Sequence, residues 1–185
     1  MKKPLSILIV SLLTAFTACK NETSINQDDA SEVITEYLES NPEYKTATFR
    51  FGELKFHSRK DREDLNNYEE LGNSGFIKME LNEKKKVFLS KDSTYVYRVT
   101  LTEKAAPLVL EQGKDRATVK ALNYILDDSK PVNFVKSNNK TAKATVSLKK
   151  EKTEFYPFMN KDSNSDFITK TYKLKLKKDN SWEIN

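Results

Sequence analysis

The chain has 185 residues, with 32 Lys and Arg, 27 Asp and Glu, and a formal net charge of +5 at pH 7. Its single cysteine excludes an intramolecular disulfide, and its four glycines include no glycine-rich loop for binding phosphate. The charge is uneven, because residues 20–70 are rich in acidic side chains whereas residues 136–185 carry twice as many basic as acidic ones. A basic C-terminal third suits an anionic partner such as a lipid headgroup, lipopolysaccharide or an acidic glycan, or else forms a solvated strand face.

The first predicted element is an export signal over residues 1–18. Two lysines, Lys2 and Lys3, precede an uncharged and mainly apolar run that extends over residues 5–18. A basic start followed by an apolar core is typical of a secretory signal. The run is shorter than the roughly 20 residues that a membrane-spanning helix requires, so we expect no transmembrane segment here.

The end of this run carries a short motif, Phe16, Thr17, Ala18 and Cys19. It resembles the lipobox of bacterial lipoproteins, in which a small residue precedes the cysteine, although Phe16 stands where Leu is usual. The resemblance implies that Cys19 receives a thioether-linked diacylglycerol, becomes the new N-terminus and accepts a fatty acid such as palmitate on its amine. It also implies attachment to a membrane of the cell envelope. Lys20 replaces the Asp that tends to keep enteric lipoproteins in the inner membrane, so by analogy we favour the outer membrane.

The rest of the chain is predicted to be a tether and a folded domain. Residues 19–27 are polar and form a lipidated tether, and residues 28–185 form an extracytoplasmic domain. A division of this domain into two subdomains near residues 112–114 is left open. The domain begins with a helix over residues 28–40, for which Asp29 is the predicted N-cap.

A strand and a second helix follow. Apolar residues alternate over residues 45–57 but change parity at Gly52, which indicates a strand with a β-bulge. Ser58 begins a capping pattern and Gly72 suits a helix C-terminus, so a helix is predicted between them. The strands predicted next cover residues 76–81, 87–89 and 94–101.

Residues 65–106 carry a second resemblance. They combine a predicted helix, a strand and a charged hairpin whose last strand runs through Val99, Thr100 and Leu101. This order is similar to the last helix and wing of winged-helix domains. Outside the cytoplasm the resemblance implies a packing or protein-docking unit, and we expect no binding to nucleic acid.

The C-terminal part of the chain gives the clearest strand pattern. Residues 115–126 fit either a helix or a strand, and we favour a strand. Alternating apolar and polar residues then predict an antiparallel meander with one apolar and one solvated face. The predicted fold class is therefore α+β, with two helices packed on an antiparallel β-sheet and a β-meander in the C-terminal third. The strands predicted for this meander cover residues 132–135, 142–148, 167–176 and 182–184.

Two groups of side chains are candidates for an interaction surface. The first group projects from the solvated face of the meander and consists of Lys173, Lys175 and Lys177. The second group breaks the strand alternation, so it is a better candidate for an exposed contact than the aromatics that alternate in strands, with core packing as the alternative; it consists of Phe155, Tyr156 and Phe158.

No catalytic or metal-binding pattern accompanies these residues. His57 is the only histidine, and the sequence offers neither a second histidine nor a free cysteine to complete a zinc site. Asp127 and Asp128 are neighbours in a predicted turn, which directs both carboxylates to water. We therefore predict no cofactor, no metal and no catalytic residues.

These observations predict a lipid-anchored envelope protein with a non-enzymatic binding domain, on the periplasmic or the surface side of the outer membrane. Its partner would be an envelope protein or an anionic polymer. One alternative is a carboxylate-based envelope hydrolase. The other is an inhibitor or protective lipoprotein that docks on another protein through the 155–158 loop.

Overall fold

The computed structural model describes residues 24–86, 92–160 and 164–185. The predicted signal, the lipobox and Cys19 lie outside these residues, as does the strand predicted over residues 87–89. Within the described residues, no helix is long and apolar enough to cross a membrane.

The described residues form two α-helices, ten strands and two short 3₁₀ turns. The helices are α1 (Gln27–Ser40) and α2 (Arg62–Asn73). The 3₁₀ turns cover Glu103–Leu108 and Tyr156–Phe158. The strands are β1 (Glu43–Arg50), β2 (Gly52–His57), β3 (Ile77–Lys86), β4 (Ser93–Leu101), β5 (Val109–Gln112), β6 (Arg116–Leu126), β7 (Asn133–Asn138), β8 (Thr141–Lys152), β9 (Phe167–Leu176) and β10 (Trp182–Ile184).

The predicted α+β class is wrong, because strands make up 51% and helices only 23% of the described residues. The larger sheet has seven strands in the order β1-β6-β8-β9-β10, with β5 paired to β6 and β7 paired to β8, and it curls into a half-barrel. A smaller sheet has the order β2-β4-β3. The long strands β6 and β8 each pair with three neighbours, so the sheets supply most of the packing surface and the helices only cover it.

The change of parity at Gly52 marks a change of sheet. β1 pairs with β6 in the larger sheet, and β2 pairs with β4 in the smaller one. Only Phe51 separates the two strands, and Gly52 adopts φ 90°, a left-handed conformation that favours glycine. The predicted β-bulge is therefore wrong, because a bulge would have kept both segments in one sheet.

Two apolar clusters fill the molecule. The first lies between the smaller sheet, α2 and the N-terminal half of β6, and the second lies between α1 and the face of the larger sheet that it covers. β6 contributes to both, with Val119 in the first and Leu122 in the second. The fully buried side chains of the first cluster include Phe49, Val99, Val119 and Phe155, and those of the second include Ile34, Leu122, Val146, Leu148 and Leu174.

The helix boundaries differ from the prediction by a few residues. Asn26 caps α1, and its side chain accepts from the Asp29 N–H while the Asp29 carboxylate accepts from the Asn26 N–H. This reciprocal pair satisfies two of the helix's free N–H groups. Ile25 is only 5% exposed within the second cluster. Ordered packing therefore begins inside the segment that was predicted to be the tether.

The region compared with a winged helix forms α2 followed by the β3–β4 hairpin. This hairpin also pairs with β2 through β4. Ser58 does not cap α2, because its hydroxyl bonds to the Asp92 carboxylate and the helix begins at Arg62. The strand favoured over residues 115–126 is confirmed as β6.

Candidate functional site

The outer face of the larger sheet, on the side away from α1, carries a row of lysines. Along β8, Ala142, Ala144 and Val146 point inward and are buried. The residues between them point outward, and the same alternation holds in β9. We call one group of neighbouring outward side chains in the β8–β9 pair the lysine face, and it consists of Lys143, Thr145, Thr171, Lys173 and Lys175.

The register of β8 and β9 sets Lys143 directly opposite Lys173. The Lys173 carbonyl accepts from the Asn185 N–H at 2.9 Å, so the backbone of Lys173 points away from β8. Lys143 and Lys173 therefore form a non-hydrogen-bonded pair, the type in which opposite side chains lie closest. One step along, the Thr145 and Thr171 hydroxyl oxygens are 2.8 Å apart, as expected for a pair of this type.

The lysines of this face have no neutralising partner among the described residues. No carboxylate oxygen lies within the 4.0 Å ion-pair limit of Lys143, Lys173 or Lys175. Glu183 is opposite Lys175 in the β9–β10 register but pairs with Lys177 at 3.2 Å. Like charges directly opposite in a sheet destabilise it. The fold therefore retains an unfavourable contact that a bound anion would relieve.

The smaller sheet shows the opposite arrangement on its outer face. Arg98 lies directly opposite Glu53 on one side and Glu80 on the other. Lys78 pairs with Glu80 at 2.6 Å, and its hydrogen bond lowers the pKa of Glu80. Charges therefore alternate in sign across this sheet and neutralise each other, which makes the lysine face distinctive within the same molecule.

Two exposed apolar side chains border the lysine face. Val135 of β7 is directly opposite Lys143 and is 57% exposed. Phe167 begins β9 and is 47% exposed. Lysine side chains lay their methylene stems along such apolar surface while their ammonium groups stay in water. The surface can therefore contact a partner through both charge and apolar area.

The aromatic loop predicted to be exposed is mainly core. Phe155 is fully buried, with its ring centroid 5.2 Å from that of Phe49. Phe158 is half-buried and lies 5.0 Å from both Phe49 and Tyr68. Tyr156 is also half-buried, with the Lys152 ammonium 4.4 Å above its ring. Phe155 is therefore not available as a contact, because the loop places Phe155 and Phe158 in the first apolar cluster and Tyr156 against the second.

The imidazole of His57 contacts one hydroxyl, that of Thr94, which is buried and only 8% exposed. The His57 Nδ1 is 3.2 Å from the Thr94 Oγ1, and the Asp61 carboxylate accepts from the His57 backbone N–H at 2.7 Å. The hydroxyl of the adjacent Ser58 donates to the Asp92 carboxylate instead of the imidazole. An activated serine requires a base in hydrogen-bond contact with its hydroxyl.

The carboxyl groups with shifted pKa values are all shifted downward. Hydroxyls of Ser58, Ser129 and Ser181 lower the pKa of the carboxylates they contact, and an ammonium group does so for Glu80. A catalytic acid at neutral pH requires a raised carboxyl pKa. In the described ranges, no three His, Cys, Asp or Glu side chains converge as metal ligands. The carboxylates with lowered pKa values are those of Glu80, Asp92, Asp127 and Asp179.

A half-buried polar cluster on the inner side of the larger sheet joins strands that are not neighbours. Glu43, at the start of β1, accepts from the Tyr172 hydroxyl of β9 at 2.6 Å and also pairs with Lys170. Burial, followed by the bond to Glu43, raises the pKa of Tyr172. The three groups satisfy one another, so this cluster maintains the curl of the sheet.

Comparisons with protein-family models, with curated proteins and with solved structures find no match to this chain. A function for the candidate site can therefore be inferred only from the geometry of this chain. Of the predicted surface residues, the structure places Lys173 and Lys175 on one exposed face and Lys177 just beyond the end of β9. Sequence analysis did not single out Lys143, because its significance depends on strand register.

Proposed function

We propose that this protein is a bacterial lipoprotein, anchored through Cys19, whose non-enzymatic domain binds an anionic partner in the cell envelope. The lipobox-like motif and the uncharged run before it support the anchor. Lys20 supports the outer membrane, on its periplasmic or its surface side. The observation that carries the binding role is the direct opposition of Lys143 and Lys173 without a neutralising carboxylate among the described residues.

A short connection would hold this domain close to the bilayer. Ile25 already belongs to the second apolar cluster, which leaves residues 20–24 between it and the proposed lipid. Five residues reach at most about 17 Å. The end of the domain from which they leave has more carboxylates than ammonium groups, because Asp28, Asp127 and Asp128 border one pocket there with Lys130. Repulsion between these carboxylates and anionic headgroups favours a partner other than the protein's own membrane.

Salt-dependent binding to a polyanion tests the role of the lysine face. The full chain, purified in nonionic detergent, is applied to immobilised heparin as a general anionic polymer. We expect Lys173→Glu/Lys175→Glu to weaken the affinity at least about tenfold at low salt, because the variant reverses two charges on one face.

The matched control is Lys55→Glu/Lys78→Glu, which makes the same change in net charge on the smaller sheet. We expect this control to retain most of the affinity. Equal weakening by both double variants would show that heparin senses only net charge, and the proposed role of the lysine face would then be wrong.

Lipid attachment is tested separately. Cells expressing the full chain are supplied with a labelled fatty acid, and the purified protein is analysed by mass spectrometry. We expect label on the natural chain and none on Cys19→Ser. Incorporation by the Ser variant, or a mature natural protein that retains Met1, would contradict the proposed anchor.

A further inference from the structure

Part of β9 has an open edge, because the three-residue strand β10 covers only its C-terminal end. β10 pairs only with Leu174–Leu176 of β9, and Asn185 adds one bond to Lys173. The preceding part of β9, from Phe167 to Tyr172, pairs with β8 on one side. On its other side no described residue forms a backbone ladder with it.

The direction of the backbone groups along this edge follows from the Lys173–Asn185 bond. Lys173 points its C=O away from β8, and the β8–β9 register has no shift between Thr141 and Lys149. Residues two and four positions earlier, Thr171 and Thr169, therefore also direct their N–H and C=O groups away from β8. The hydroxyl of Ser165 occupies the corresponding groups of Phe167. Thr169 and Thr171 thus present four main-chain groups to solvent.

We infer that the anionic partner is an acidic protein segment in extended conformation, which adds as a strand to the edge of β9 at Thr169 and Thr171. This inference depends on the proposed function, because it names the class of partner that the lysine face binds. Main-chain bonds supply affinity in such strand addition, and the side chains on either side of the new strand supply specificity.

The charges around the edge determine which segment fits. Side chains opposite Thr169 and Thr171 would project to the outer side of the sheet, beside Lys173. Acidic side chains at those positions would provide the counter-charge that the Lys143–Lys173 pair lacks. Alternate side chains would project to the inner side, where Ile168 and Tyr172 offer apolar surface on either side of Lys170, whose ammonium group is paired with Glu43. The favoured sequence therefore alternates acidic and apolar residues.

Charge also disfavours an edge-to-edge pair of two copies of this chain. Two β9 edges paired antiparallel through Thr169 and Thr171 would set Lys170 directly opposite its copy, and charged edge strands are a common protection against such pairing. Charge thus selects an acidic strand over a second copy.

A designed peptide tests this inference on the full chain in nonionic detergent. The probe is a fluorescent ten-residue peptide of alternating Glu and Val, and its control carries N-methyl groups on the backbone nitrogens of the Glu residues. Both peptides have the same charge, but only the parent can donate its Glu N–H groups to the edge of β9 while its carboxylates lie beside Lys173. We expect anisotropy titrations to show at least about tenfold weaker binding of the N-methylated peptide.

A pair of variants tests the position of the added strand. Thr171→Pro removes an N–H that points away from β8, so the β8–β9 ladder keeps its bonds. Thr171→Ala removes the same hydroxyl but keeps that N–H. We expect Thr171→Pro to lose at least about tenfold in affinity for the parent peptide relative to Thr171→Ala, while both variants bind heparin equally.

The outcomes separate this inference from the proposed function. Equal binding of the two peptides, with heparin affinity still dependent on Lys173 and Lys175, overturns the inference and leaves the proposed function intact. Absence of binding to both heparin and peptide by the natural chain overturns both. If circular dichroism shows that Thr171→Pro is unfolded, the comparison of the parent and N-methylated peptides on the natural chain tests the inference instead.

Discussion

Phe155 packs the loop after β8 against both sheets. Its ring centroid is 5.2 Å from that of Phe49 in β1 and 6.1 Å from that of Phe76, which precedes β3. We expect Phe155→Ala to lower the free energy of unfolding by about 3–5 kcal/mol, because truncating a buried Phe leaves a cavity. Urea unfolding followed by circular dichroism measures the change.

The control for this substitution is Phe167→Ala, which removes the same atoms from an exposed side chain. Its expected effect is within about 0.5 kcal/mol, the usual range for surface changes. Similar losses from both variants would mean that Phe155 is not packed as described.

Two buried tyrosines make the stability depend on alkaline pH. Burial raises the pKa of both Tyr68 and Tyr172 above the usual value of about 10. An unfolded tyrosine loses its proton near pH 10 while the folded one keeps it. The stability that the neutral hydroxyls contribute is therefore full below pH 10 and is lost as the pH rises above it.

Tyr172→Phe tests this dependence. The variant loses the hydrogen bond to Glu43 and about 1 kcal/mol at pH 8. It should also lose stability less steeply than the natural protein between pH 9.5 and 11, because one group with a raised pKa is gone. Urea midpoints across this range provide the measurement, and parallel curves for the two proteins would contradict the assigned burial of the hydroxyl.

At the scale of the strands, the opposition of Lys143 and Lys173 predicts a cost in stability on the lysine face. Lys173→Glu would place opposite charges across β8 and β9, and we expect the free energy of unfolding to rise by about 0.2–1 kcal/mol. The same variant should bind heparin more weakly. Thermal and urea unfolding, combined with heparin affinity, would show the two effects with opposite signs.

The smaller sheet supplies the reverse comparison. Arg98→Glu would set a third carboxylate between Glu53 and Glu80, so we expect a loss of stability of similar size. If Lys173→Glu also destabilised the protein, the repulsion between Lys143 and Lys173 would not be the dominant effect on the lysine face.

The sequence predicted individual elements better than their assembly. Alternation predicted β6, β8 and β9, because one face of each strand is buried and the other is wet. It could not show that β1 and β2 belong to different sheets, since Gly52 changes parity in the same way at a bulge and at a change of sheet. The fold class was wrong for this reason, as pairing between distant strands leaves no local signal.

For the candidate site, too, the sequence predicted the direction of single side chains but not their partners across strands. Alternation placed Lys173 and Lys175 on the solvated face, but their opposition to Lys143 depends on a register that no single strand encodes. Phe155 was misplaced because a break in alternation indicates a turn without indicating on which side its rings lie. Its burial depends on the space left between the two sheets.

At the scale of the whole molecule, the two apolar clusters share β6. Its residues Val119 and Leu122 lie in adjacent clusters, and Met159 packs against both. Loss of packing in one cluster therefore exposes part of the strand that supports the other. This continuity predicts a single cooperative unfolding transition.

Trp182 gives a direct test, because it is the only tryptophan and packs against the second cluster, whereas Phe155 belongs to the first. Phe155→Ala should shift the urea midpoint of Trp182 fluorescence by the same amount as the midpoint of far-UV circular dichroism, which reports on both clusters. Independent unfolding of the two apolar clusters would instead leave the fluorescence midpoint unchanged while the dichroism splits into two steps. Coincident shifts would mean that a substitution in the first cluster also destabilises the sheet that presents the lysine face.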